Sequence, residues 1–196
     1  MVNKKAFWIL GTLVIVLISL YIFYGISEQN FAYFFPRRFT RVLAILLAAF
    51  TISVSTVIFQ ALTNNRILTP SMLGFDSLYM LMQTALLVVF GAGSVLIMHQ
   101  MTNFLVTLVI MVSGSVVLYG VLFKKMGHQL ISMLLIGIVL STLFRSISSF
   151  FQMILDPNEF SIIQDRSFAS FNNMNTDILW IALALSLIVF IFLAED

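Results

Sequence analysis

The chain of 196 residues contains no cysteine. That absence excludes a disulfide framework, a thiolate metal site and a cysteine nucleophile. Charge is almost as scarce: 9% of residues are Asp, Glu, Lys or Arg, against about 25% in soluble domains. So few charges cannot coat a water-facing surface, which excludes a soluble globular enzyme. The net charge of +2 is too small and too scattered for nucleic-acid binding. What is there is apolar, 61% of the chain, with a mean hydropathy of +1.08. A chain this rich in Phe, Leu and Ile buries itself, so disorder is excluded as well. The composition is that of a polytopic membrane protein.

A helix needs about 20 mostly apolar residues to cross a hydrocarbon core of about 30 Å. The gaps between charges predict spans at about 6–24, 42–62, 77–98, 104–123, 129–155 and 178–193. The first follows Lys4 and Lys5 and has the basic start of a signal peptide, but it is long for one and no small-residue cleavage site follows Tyr24. It reads as a retained helix. Ser77 to Phe123 carries no formal charge and at about 1.5 Å per residue reaches about 70 Å, enough for two crossings with the polar break His99–Asn103 between them. The unbroken apolar runs lack period-2 alternation, so helices rather than a barrel are expected. The fold class read from the sequence is an all-α polytopic membrane protein of about six transmembrane helices, one domain over 1–196. Asp156-Pro157-Asn158-Glu159 opens a polar stretch that runs to Asp177 and precedes the last span.

With the N-terminus inside, Lys4, Lys5, Arg66, Lys124 and Lys125 face the cytoplasm and Arg37, Arg38, Arg41 and Arg166 face out. Five against four is a narrow vote for that orientation. Three of the outer arginines cluster just before the second span. Two readings stand for them: interfacial anchoring on lipid phosphates, or an outward basic patch that docks an acidic partner. Arg145 is the one charge well inside a span, where a guanidinium is costly and faces a bundle interior or a watery cavity. Ser141, Arg145, Ser148, Ser149 and Gln152 follow helical spacing on one face. Hydroxyl and amide groups there serve as helix–helix glue, but the arginine favours a polar translocation path suited to an anionic substrate.

Asn64 to Asp76, with Asn65, Pro70 and Gly74, is a Pro- and Gly-punctuated connection that Thr69 or Ser71 could cap. His99 and His128 fall on opposite sides of the membrane, so they form neither a metal site nor a catalytic dyad. Gly91-Ala92-Gly93-Ser94 and Ser113-Gly114-Ser115 read as small residues for close packing within apolar helices. The eleven methionines read as adaptable packing.

Three segments in fixed order carry a family resemblance: Arg38-Phe39-Thr40-Arg41-Val42-Leu43-Ala44, then Phe59-Gln60-Ala61-Leu62, then Asn65 through Pro70 to Leu73-Gly74. Together with Gly137, Phe144-Arg145-Ser146 and Asp156 to Phe160 they resemble the permeases of iron–siderophore ABC importers, the FecCD-type family that includes the vitamin B12 permease. The variant Asn65-Arg66-Ile67-Leu68-Thr69-Pro70 with Gly74-Phe75-Asp76 is most similar to the branch associated with catecholate-type siderophores. Thr40 and Arg66 stand where the family usually has Pro. The resemblance implies the first six helices of a ten-helix ABC importer permease, with the segment that couples to the ATPase expected just past Asp196. It implies a multi-pass protein of the bacterial cell membrane, N-terminus cytoplasmic, that conducts ferric siderophore and performs no chemistry itself. No cofactor is bound directly, since a cytoplasmic ABC ATPase partner uses the ATP. The other implied partners are a second permease subunit, identical or not, and an extracytoplasmic siderophore-binding protein whose acidic residues meet Arg38 and Arg41. Membrane lipid is the remaining partner.

Two other classes compete with this reading. An intramembrane hydrolase needs a Ser or Asp nucleophile beside a base at one depth, which the histidine placement opposes. A six-span ion-coupled carrier needs a midplane acid, and every Asp and Glu lies outside the predicted spans or at their edges.

Overall fold

The computed structural model describes residues 4–126, 130–167, 171 and 174–195. Every regular element among them is helical. Helices α1 (Lys4–Phe23) and α2 (Phe31–Leu62) are followed by a short 3-10 helix (Pro70–Leu73), α3 (Phe75–Phe90) and α4 (Val95–Met98). Then come α5 (Gln100–Met126), α6 (Leu130–Gln152), α7 (Pro157–Ser167) and α8 (Thr176–Glu195). Five of these, α1, α2, α5, α6 and α8, are long and apolar enough to cross a membrane. The protein is an all-α polytopic membrane protein.

The expected third span, 77–98, is interrupted. α3 has 16 residues and at about 1.5 Å per residue extends about 24 Å, short of the hydrocarbon core. It stops at Gly91, whose φ of +72° is a conformation that side-chain-bearing residues rarely adopt. The Gly91 amide donates to the Leu87 carbonyl and the Ser94 hydroxyl to the Gly91 carbonyl at 3.0 Å. Gly91 to Ser94 therefore end a helix and do not pack within one, which corrects the sequence reading. The polar break expected at His99–Asn103 shrinks to His99 alone, because α5 already begins at Gln100. Ser113-Gly114-Ser115 do lie within α5, and a Cβ on Gly114 would meet Leu78 Cδ2 at 3.2 Å.

Two further boundaries move. The second span, expected from 42, starts at Phe31 and runs through Pro36, so Arg37, Arg38 and Arg41 are helical rather than in a loop. The polar stretch after Asp156 folds into α7, with Pro157 in the first turn where its missing N–H costs nothing. The Asp156 carbonyl accepts the Phe160 amide there at 2.9 Å.

The expected single domain consists of two compact units, Met1–Phe50 with Phe171–Asp196, and Thr51–Ser170. In the second unit α3 is the central element, packed against α4, α5, α6, α7 and the 3-10 helix. Met82, Leu86, Leu87, Ile97 and Ile163 form one buried cluster, and Phe59, Leu68 and Leu73 another. In the first unit Ile22 of α1, Val42 and Ala44 of α2 and Leu179 of α8 are buried, and the Phe50 and Phe190 rings meet edge to face at 5.4 Å.

Candidate translocation-path residues

The polar stripe of α6 is split by its neighbours. Ser141 Oγ lies 2.7 Å from Ser77 Oγ, and Ser148 Oγ lies 3.0 Å from Thr84 Oγ1. Both pairs are 64 residues apart, so α3 and α6 run parallel and in register over two helical turns. Gln152 Nε2 donates to Ser148 Oγ at 3.0 Å and lies 3.5 Å from Thr84 Oγ1. Thr84 and Ser148 are buried, and Thr84 also donates to the Met80 carbonyl. Ser141, Ser148 and Gln152 thus take part in helix–helix adhesion, pairing with Ser77 and Thr84 of α3. Arg145 and Ser149 are exposed. Arg145 Nε donates to Ser77 Oγ at 3.1 Å.

The connection holding Asn65, Pro70 and Gly74 is a wedge against the same helix. Thr69 precedes the 3-10 helix in extended conformation with no side-chain cap, and Pro70 opens it. A Cβ on Gly137 would stand 2.6 Å from the Met72 carbonyl oxygen and 3.0 Å from Leu73 Cα. A Cβ on Gly74, at φ +86°, would stand 3.1 Å from Ser141 Cα. The turn therefore lies backbone to backbone on α6, and only glycine at 137 permits that approach. Upstream, Asn65 Oδ1 accepts the Ile67 amide and Gln60 Nε2 donates to the Arg66 carbonyl. Leu68 and Leu73 fill the space beneath, both fully buried.

A second polar cluster was not legible in the sequence. Arg166, from α7, donates through Nη1 to Gln83 Oε1 at 2.6 Å and through Nη2 to the Ile97 carbonyl at 2.9 Å. Gln83, 1% exposed, donates in turn to Thr107 Oγ1 at 2.9 Å. Asn103 Nδ2 takes the Leu96 carbonyl. A four-residue helix leaves its carbonyls unpaired, and Arg166 and Asn103 supply the donors α4 lacks. Burial lowers the Arg166 pKa from the ordinary guanidinium value, with Tyr79 beside it acting in the opposite sense. Glu159 Oε1 accepts the Ala92 amide at 3.4 Å, so α7 also holds the Gly91–Ser94 break.

In the first unit, Arg38 Nη1 donates to the carbonyls of Tyr21, Ile22 and Tyr24 at 3.0, 3.3 and 2.6 Å. These are the orphan acceptors at the end of α1, where a cation is favoured. Arg37 stacks over Tyr33 at 4.1 Å from the ring centroid and donates to its hydroxyl. Arg41 and Arg38 line an open depression of about 470 Å³ with Leu20, Tyr21 and Tyr24. His99 Nδ1 lies 3.2 Å from Thr102 Oγ1. His128 and the side chains of Lys124 and Lys125 lie outside the described residues.

Comparison with known proteins adds to this geometry. The model of the FecCD transport family matches residues 6–194. The petrobactin import system permease protein YclO of Bacillus subtilis (strain 168) is 48% identical over 190 residues, covering 97% of this chain and 60% of the relative. The petrobactin import system permease protein FatC of Bacillus anthracis is 41% identical over 148 residues, covering 76% of this chain and 42% of the relative. The chain thus spans about three fifths and two fifths of these two relatives. No solved structure matches. Nothing in these matches supports an intramembrane hydrolase or a six-span ion-coupled carrier. With the match running nearly end to end, the chain belongs to the FecCD transport family.

Proposed function

We propose that this chain is the membrane-embedded part of an ABC importer permease for ferric siderophore, with petrobactin or a similar catecholate chelate as cargo. The observation that carries the reading is 48% identity to a petrobactin permease over 97% of the chain. The permease works as a pair of subunits with a cytoplasmic ATPase and an extracytoplasmic binding protein. Nucleotide and binding protein each favour one of two helix arrangements, so hydrolysis shifts the path between outward- and inward-facing states. The N-terminus is cytoplasmic and α7 lies outside. The parallel course of α3 and α6, with α5 between them, gives their relative sense; the orientation itself rests on the charge vote of five cytoplasmic Lys and Arg against four outside.

Arg38 and Arg41 are the residues offered to acidic groups of the binding protein. Arg38 also holds the end of α1, so Arg41→Glu is the cleaner probe. It should slow association with the binding protein, most at low ionic strength.

The test of the assignment is a chimera. Residues 6–194 replace the matching part of the Bacillus subtilis relative in a strain lacking its own petrobactin permeases. Iron uptake from ferric petrobactin should be restored. A chimera that inserts and accumulates but imports none would refute the cargo. Labelling of Ser161→Cys, in this cysteine-free chain, should occur only from the outside.

A further inference from the structure

α6 carries a second polar patch, turned away from α3, on a side whose earlier exposed residues, Leu135 and Ile138, are apolar. Thr142, Arg145, Ser146 and Ser149 are spaced by three and four residues, fall on one side of the helix, and are all exposed. Val139, Leu143, Ile147 and Phe150 occupy a separate exposed face, which is wholly apolar. A helix surface that meets lipid has the second composition and not the first. Arg145 sits 15 residues after Leu130 and 7 before Gln152, so about 22 Å and about 10 Å from the helix ends.

The guanidinium has no ion pair among the described residues. Its one hydrogen bond there uses Nε, and the two Nη groups have no partner among them. Arginine can only donate, so Ser77 Oγ accepts from Nε, and it shares a second hydrogen bond with Ser141 Oγ, 2.7 Å away. Ser77 is 2% exposed and fixed in the α3–α6 contact. A hydroxyl pair anchored by buried Ser77 thus holds a charged fork at the edge of an exposed polar patch.

We infer that Arg145, positioned by Ser77, is a charge selector on the translocation path that favours net-negative cargo. The inference rests on the permease reading above. A ferric catecholate chelate suits it, because dianionic catecholate ligands outweigh the charge of the metal. The fork can offer two parallel donors to adjacent oxygens, where a lysine would act as a point charge. Ser77 is a positioning residue.

The test needs no transport. The full chain, free of cysteine, is placed in membrane vesicles with Ser149→Cys as reporter. Its reaction rates with anionic and cationic methanethiosulfonate reagents are compared. The anionic reagent should react about tenfold faster than it does in the Arg145→Gln background, relative to the cationic one. Arg145→Lys should keep most of that preference, and Ser77→Ala should reduce it. Val139→Cys and Phe150→Cys should resist both reagents. An unreactive Ser149→Cys, or a parent with no anionic preference, overturns the inference. So does a preference unchanged by Arg145→Gln, and the parent measurement stands even if that variant fails to insert. A chimera that imports no petrobactin would refute the cargo and leave these rate ratios unaffected, so the two failures are separable.

Discussion

Arg38 and Arg166 do the same chemical work in two different settings. Each guanidinium donates to carbonyls that a helix end leaves unpaired, those of α1 for Arg38 and that of α4 for Arg166. Around Arg38 the first unit is thinly packed: within α1 only Ile22 is buried, and elsewhere in the unit Val42, Ala44 and Leu179 are, among the described residues. Around Arg166 the second unit is closed, with Gln83 and Thr84 essentially inaccessible and Ile163 packed beside Leu87. One unit holds its helix end with a single half-buried clamp, whereas the other ties four helices together through partly buried side-chain hydrogen bonds. Disturbance should therefore be local in the first unit and cooperative in the second.

The sharpest way to break this contrast is to add the same bulk to each unit. Gly137→Val pushes a side chain into the Met72 carbonyl, Leu73 Cα and the fully buried Leu73 side chain, where the two nearest atoms are backbone. It should cost about 3 kcal/mol. Gly11→Val, with nothing within 4 Å, should stay within about 0.5 kcal/mol of the parent. Thermal loss of helical signal in detergent micelles measures both, and equal shifts would erase the distinction between the units. Next in size is Gln83→Leu, which strands the half-buried Arg166 and Thr107 Oγ1 for about 2 kcal/mol. Adding Arg166→Leu should return part of that loss, because a pair removed together leaves no orphaned charge. A double variant as unstable as the sum of the two would mean that the cluster is not a unit.

The contrast also marks how far the sequence could be read. Long apolar gaps announced α1, α5, α6 and α8, because hydrocarbon thickness sets a length that composition reports directly. The start of α2 was hidden, since Arg37, Arg38 and Pro36 look like punctuation until their helix is seen. The break at Gly91 was hidden for the opposite reason: a small-residue run packs helices as readily as it ends them, and only the backbone angle decides. The stripe on α6 was legible as one face but not as two. Its division depends on Ser77 and Thr84, 64 residues upstream, and no local period encodes that distance. Arg166 was placed on the correct polar segment, while its partner Gln83 lies 83 residues away.

A smaller effect belongs to the first unit. Arg38→Gln removes the cation from the end of α1 and should cost about 1 kcal/mol or less. Hydrogen exchange should quicken at the Tyr21–Tyr24 end while α3 and α6 keep their protection. Arg38→Lys should restore part of it. Exchange that spreads into α3 would mean the two units open together and the comparison fails.

The smallest effect lies inside the seam and asks whether its hydroxyls act as pairs. Thr84 and Ser148 are both buried, yet each has a second partner: Thr84 the Met80 carbonyl, and Ser148 the Gln152 amide. Thr84→Val and Ser148→Ala therefore leave behind groups that can turn to those alternatives, which limits the loss. In membrane proteins such bonds couple by about 0.6 kcal/mol, because the separated helices also find partners. A double-mutant cycle on thermal stability should give a coupling of about that size for Thr84 with Ser148. Thr84 with Thr142, which faces away and bonds its own Ile138 carbonyl, should give none. Coupling well above about 1.5 kcal/mol would exceed what such a bond supplies. It would show that the register of α3 on α6 is set by these hydroxyls rather than by the backbone contact at Gly137. Zero coupling would leave that register to the Ser77–Ser141 pair, the apolar packing and the backbone contact at Gly137.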